Sequence, residues 1–190
     1  MKRTVSGFYA LVVTAAIASC SLSSCKKDSG GGGSTGGGGS SSGLSAGQSS
    51  LEFSTSASFG GKTAFKSNQP ATSKVVKGPQ GSKTNITFNA IQMEGTKVST
   101  ATLTLIIPQN AASGVAGKFD EGYKGDGLAV LLIGSSDAGS NMQSYASKTG
   151  NFTVTKLTDK EIEGTFDTYC ENSTTKTNIT LSNGKFAGKF

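Results

Sequence analysis

The chain of 190 residues contains no histidine and no tryptophan, a single arginine and only three cysteines. Without histidine there is no imidazole for a Ser-His-Asp or Cys-His arrangement, no side chain that titrates near neutrality by default, and none of the usual zinc ligand. The lone arginine is Arg3, so the rest of the chain has no guanidinium to grip a carboxylate or phosphate with paired hydrogen bonds. All other cations are lysines, and they are scattered. A nucleic-acid surface clusters its cations and uses arginine for two-point contacts, so no nucleic-acid partner is expected. Long apolar runs are also absent. Phe8 to Ala18 is the longest near the N-terminus, too short to span a bilayer of roughly 30 Å as a helix.

The cysteines are Cys20, Cys25 and Cys170. Cys170 stands alone beyond the N-terminal region, between Tyr169 and Glu171, and has no domain partner for a disulfide. A neighbouring carboxylate raises a thiol pKa rather than activating the sulfur, so Cys170 reads as a half-buried strand residue. The other two follow the apolar run. Lys2 and Arg3 precede that run and small residues follow it, the layout of a secretory signal. Ile17-Ala18-Ser19-Cys20 and Leu22-Ser23-Ser24-Cys25 both resemble the bacterial lipobox, whose cysteine becomes the acylated first residue. The resemblance implies a lipid anchor: a diacylglyceryl thioether and an acylated amine. Two or more chains anchor durably, since each buried CH₂ is worth about 0.8 kcal/mol.

Cys25 is the favoured lipidation site, because Lys26-Lys27-Asp28 and a linker follow it at once. Cys20, closer to the apolar run, is the alternative. A plain secreted chain, cut near Ala18 or Ser19, is the competing reading of the whole segment. Lys27-Asp28 resembles in part the surface-export signal of Bacteroidota lipoproteins, although Ser29 stands where a second acid is usual. The expected location is therefore the outer membrane, with the outward and inward faces both open.

Ser29 to Gly43 contains only glycine, serine and threonine. Nothing in it can bury apolar area against chain entropy, so it reads as a disordered tether. As a coil it would span about 20 Å and reach at most about 50 Å. The expected organisation is a signal peptide over 1–24, an acylated cysteine and tether over 25–50, and a single domain over 51–190. There are 18 basic and 12 acidic residues, and loss of Lys2 and Arg3 with the signal leaves a net charge of +4.

The domain reads as all-β. Val98 to Ile107 alternates apolar residues with threonine and serine until Pro108 stops it. Asn85 to Met93 alternates likewise, with a bulge expected near Ala90-Ile91, and Glu94-Gly95-Thr96-Lys97 is the turn between the two. Leu128 to Ile133 is a continuous apolar run and reads as a central strand. Asn151 to Leu157 alternates, Asp159-Lys160 turns, and Glu161 to Tyr169 returns with Ile162, Gly164, Phe166 and Thr168 on one side. Thr177 to Leu181 and Lys185 to Phe190 read as a last hairpin through Ser182-Asn183-Gly184. Leu51 to Ser56 and Lys62 to Lys66 read as weaker edge strands. Ser136 to Ser147 reads as a loop or one helical turn. This count of short strands predicts a mostly antiparallel β-sandwich, with a small β-barrel as the rival.

Asn151-Phe152-Thr153-Val154-Thr155-Lys156-Leu157, Glu161-Ile162-Glu163-Gly164-Thr165-Phe166 and Asn178-Ile179-Thr180-Leu181-Ser182-Asn183-Gly184-Lys185-Phe186 resemble the C-terminal half of small uncharacterised lipoproteins of the Bacteroidota. The resemblance covers about a quarter of the chain plus the anchor, and it rests on structural motifs, so it brings no catalytic residue with it.

Carboxylates remain as candidates for chemistry. Asp120, Glu121 and Asp126 surround Gly122, Gly125 and Gly127 in one loop. Oxygen ligands on such a loop suit Ca²⁺, but the spacing fits no EF-hand, and no metal or cofactor is assigned. With Tyr123 and Lys124 the same loop is the candidate ligand-contact loop, for an unknown protein or glycan. Glu161 and Glu163 share a strand face, which reads as an exposed edge rather than an acid–base pair across a cleft. Three functions follow in order: a non-enzymatic, membrane-anchored binding or interaction module; a carrier of a small ligand or glycan in a barrel interior; and a carboxylate-based hydrolase.

Overall fold

The computed structural model describes residues 40–59, 62–121, 125–135 and 143–190, and of 59 and 128–135 the backbone only. Ten strands follow one another: β1 (Ser49–Phe59), β2 (Lys62–Lys66), β3 (Lys74–Gln80), β4 (Lys83–Glu94), β5 (Lys97–Pro108), β6 (Ala116–Asp120), β7 (Gly127–Ser135), β8 (Gln143–Leu157), β9 (Glu161–Asn172) and β10 (Asn178–Lys189). The inward residues of β9 show why they form. Ile162, Gly164, Phe166, Thr168, Cys170 and Asn172 are buried, and the residues between them are exposed or half-buried. A strand points successive side chains to opposite faces, so this period of two buries one face completely.

Hydrogen bonding runs β2-β1-β10-β9-β8-β6-β7-β5-β4-β3, with β8 also pairing β7. The pairings are antiparallel except for one parallel contact, Phe119 opposite Gly127. The sheet folds over on itself into two antiparallel layers, a β-sandwich. Phe88 of β4 meets Phe186 of β10 with ring centroids 5.1 Å apart, and Phe119 of β6 meets Phe166 of β9 at 6.3 Å. Phe65, Phe88, Phe152 and Phe186 are fully buried in this core.

The barrel is not formed, and the pairing of β1 explains why. From Glu52 onwards the outer edge of β1 is occupied by β2. Only the first residues of β1 are left to meet β3, through the isolated bridge of Gln48 with Lys74 and the bonds from Ser49 N to Ser73 O and from Val75 N to Gly47 O. The outer strands are poor templates for further pairing. β2 is five residues long with a lysine at each end, and β3 carries Lys74, Lys77 and Pro79.

The Asn183-Gly184 pair does not turn a hairpin. β10 runs through it as one strand, pairing Asn178 to Leu181 with Glu171 to Thr168 and Gly184 to Lys189 with Phe166 to Glu161. Asn183 takes a left-handed backbone (φ 53°), and its N–H donates to Asp167 Oδ1 at 2.9 Å. The left-handed residue that suits a tight turn here makes a bulge, because β9 continues alongside on both sides of it. The bulge expected at Ala90-Ile91 is absent, since β4 and β5 pair without a break from Lys83–Pro108 to Glu94–Lys97. Ile91 is half-buried on the second face, where Ser73 Oγ accepts from its N–H and its carbonyl accepts from Asn68 N. β1 is not an edge but lies between β2 and β10. The segment read as a loop or helical turn ends in strand, with β8 beginning at Gln143 and Tyr145 buried in it. β3 and β6 carry no alternating pattern long enough to announce them.

Strand directions give the sandwich two poles. One carries the starts of β1, β4 and β10's partner β9 together with the ends of β3, β5, β8 and β10. The other carries the β4–β5 turn at Gly95-Thr96 and the β9–β10 turn, where Asn172 Oδ1 accepts from Thr174 N and Thr175 N.

Candidate functional site

Cys20, Cys25 and Tyr123 lie outside the described residues. The acids of the candidate loop are each engaged locally. Asp120 Oδ1 accepts from Glu121 N at 2.7 Å. Asp126 Oδ2 accepts from Lys118 N at 3.3 Å, and its Oδ1 lies 3.5 Å from Lys83 Nζ. The loop backbone is tied in as well, with Asp126 N donating to Lys118 O and Asp126 O accepting from Ile106 N. Glu121 turns the other way to Lys148 Nζ, 2.6 Å off, which also sits 3.6 Å from Glu171. Mainly because it donates a hydrogen bond to Glu121, the Lys148 ammonium is held above its ordinary pKa. Among the described residues, no three acidic or cysteine side chains come together as metal ligands. The loop therefore offers backbone order and two ion pairs, with its described carboxylates pointing to separate partners.

Glu161 and Glu163 meet Lys156 across the β8–β9 hairpin and Ser41 from a distant segment. They do not form an exposed edge, because β9 lies between β8 and β10. Lys156 Nζ of β8 stands 2.7 Å from Glu161 and 4.0 Å from Glu163. Ser41 donates its hydroxyl to Glu161 Oε2 and, at 2.5 Å, to Glu163 Oε1. Ser41 N donates to the same Glu163 oxygen at 2.8 Å. The bond from Lys156, then that from Ser41, holds the Glu161 carboxyl below its ordinary pKa, and Lys189 acts in the same direction. Held as an anion by an ammonium and a hydroxyl, the Glu161 carboxylate lacks a proton to donate, which argues against its use as a general acid. The two glutamates are neighbours on one strand face in sequence, whereas Ser41 lies 120 residues away in a stretch with no pattern to mark it.

Cys170 is fully buried, opposite Ser147 on one side and Ile179 on the other. Burial pushes its thiol pKa up to about 12, against a smaller opposing effect of a Thr168 hydrogen bond. Burial thus leaves the reactive thiolate far scarcer than in a free thiol. In a variant with Cys20 and Cys25 replaced by serine, a thiol reagent at pH 8 is expected to label Cys170 at least a hundredfold more slowly in buffer than in denaturant. Equal rates would show an open, reactive thiol.

A shallow cavity of about 140 Å³ opens at the pole that holds the β8–β9 turn, with Lys77, Thr84, Ile107, Gln109, Leu157 and Asp159 in its wall. Lys77 Nζ lies 4.8 Å from the centre of the Phe190 ring beside it. Its size suits a few waters rather than a drug-sized ligand, which takes 300 Å³ or more, as a rough guide.

No family model matches the chain, and no curated protein or solved structure matches it significantly. What the structure defines is a class: an all-β sandwich with a packed aromatic core, in which Glu121, Asp126, Glu161 and Glu163 face lysines, serine and backbone.

Proposed function

We propose that the chain is a lipid-anchored lipoprotein of the bacterial cell envelope, whose β-sandwich serves as a non-enzymatic binding or interaction module. The observation that carries this reading is the order of segments: a cysteine in a lipobox-like tetrad, a run of glycine and serine, and then a compact strand domain. Lipid supplies location, the linker supplies reach, and the sandwich presents loops on a rigid support. The chemistry of the domain supports a binding role over a catalytic one, since Glu121, Asp126, Glu161 and Glu163 face lysines, serine and backbone. The carrier reading draws less support, because phenylalanine rings occupy the space between the layers.

Fractionation tests the proposal. The full chain, expressed in a Gram-negative host with a labelled fatty acid, is expected to carry label and to enter the detergent-rich phase on phase separation. Recovery of unlabelled protein in the aqueous phase would overturn the anchor and favour the plain secreted reading.

A further inference from the structure

Ser41 sits in a stretch that offers no apolar surface, yet it is only 4 % exposed. Its burial has an electrostatic cause. Glu161 and Glu163 are two apart on one strand face, with Lys156 Nζ 2.7 Å from the first and 4.0 Å from the second, and neither that lysine nor a strand neighbour supplies the donors that Ser41 brings. Ser41 brings two donors to the pair, its N–H and its hydroxyl. The chain after it is then folded down onto the end of β10. Leu44 N donates to Ser41 O at 3.1 Å, Ser45 N to Gln48 Oε1 at 2.8 Å, and Gly47 N to Lys189 O at 2.6 Å. Lys189 N returns a bond to Gln48 O at 3.0 Å. Gly43 and Gly47, with φ of 89° and 77°, supply the left-handed residues that these reversals require.

We propose that these contacts form a clip: Glu161 and Glu163 grip Ser41, so that the chain leaves the sandwich at Ser40 rather than at Gln48. The clip stands on contacts within the domain. Its consequence for display rests on the lipid-anchored reading given above. Measured from Cys25, the greatest reach of the chain to the domain falls from about 80 Å to about 55 Å when the exit moves from Gln48 to Ser41. The exit stays at the pole of the β8–β9 turn, where β1 also starts, so the β4–β5 and β9–β10 turns lie at the opposite end of the sandwich from it. Releasing the clip would lengthen the lead and free the orientation together.

Hydrogen exchange on the full chain in detergent micelles tests the clip without reference to membrane attachment, so its failure and the failure of the anchor are separate results. The Ser41 amide is expected to be protected. Because its N–H then loses a charged acceptor, Glu163→Ala is expected to speed exchange at Ser41 by about tenfold or more, with Ile162, Cys170 and Ile179 unchanged. Ser41→Pro deletes the donor from outside every strand and is expected to speed exchange at Leu44. It decides the matter if Glu163→Ala disturbs β9. Exchange of Ser41 at the rate of free coil in the unmodified chain, or a Leu44 rate unmoved by Ser41→Pro, would overturn the clip.

Discussion

Gly164→Ala is expected to destabilise the domain by about 3 kcal/mol, a large share of the stability of a domain this size. Gly164 of β9 lies directly opposite Phe186 of β10, and the Phe186 ring lies over it. A methyl group there would fall inside contact distance of both the ring and the Thr153 carbonyl oxygen of β8. Phe186 cannot swing away, because it is fully buried against Phe88 of the facing layer. The same device recurs, with Phe166 over Gly184 and Phe152 over Gly117. A ring that covers a glycine on the next strand shields backbone that would otherwise be bare, and it fixes register at the same time. Urea unfolding measures the cost. Adding Phe186→Leu to Gly164→Ala should give a total loss smaller than the sum of the two single losses by about 1 kcal/mol or more. The relief is partial, because the Thr153 carbonyl remains. A Gly164→Ala cost below about 0.5 kcal/mol would mean that the ring and strand give way freely.

Cys25→Ala is expected to move the protein from the membrane pellet to the soluble fraction, while Cys20→Ala leaves it in the pellet. The effect should be nearly all-or-none. A single fatty chain gives only marginal, reversible attachment, and two or more give durable attachment, so loss of the acylated cysteine removes the whole driving force. Cys25 is preferred because charge and linker follow it directly, a step that Cys20 lacks. The opposite pattern of release would transfer the assignment to Cys20, and release by neither substitution would remove lipid on cysteine as the means of attachment.

The places where residue pattern succeeded and failed share a physical logic. In β9, alternation alone identified the buried side, because burying one face of a strand demands a period of two. Asn183-Gly184 shows the limit. A left-handed residue followed by glycine suits a hairpin and a bulge equally, and only the presence of β9 on both sides of the pair selects the bulge. β3 and β6 were invisible for a related reason. β6 is five residues long, and β3 is rich in lysine, glycine and proline, so neither repeats a pattern for long enough.

The same division holds for the candidate sites. The acids of 120–126 are adjacent in sequence, and that adjacency suggested convergence. The fold sends Glu121 to Lys148 on β8 and Asp126 to Lys83 on β4, because the strands on either side of the loop have different neighbours. Glu161 and Glu163 stood out as a pair, but their partner Ser41 could be found only once β1 had been placed beside β10.

By itself the sequence determined what is local or compositional: the all-β class, the buried side of each alternating strand, and the lack of imidazole and guanidinium chemistry in the domain. The tertiary structure alone decided what depends on distant segments meeting. Occupation of the β1 edge by β2 made the sheet a sandwich instead of a barrel, and the meeting of β9 with residue 41 turned two acids into a hold on the chain that precedes the domain. Alternation and composition are properties of neighbours along the chain, whereas closure and clasp depend on which edges and charges come face to face in space.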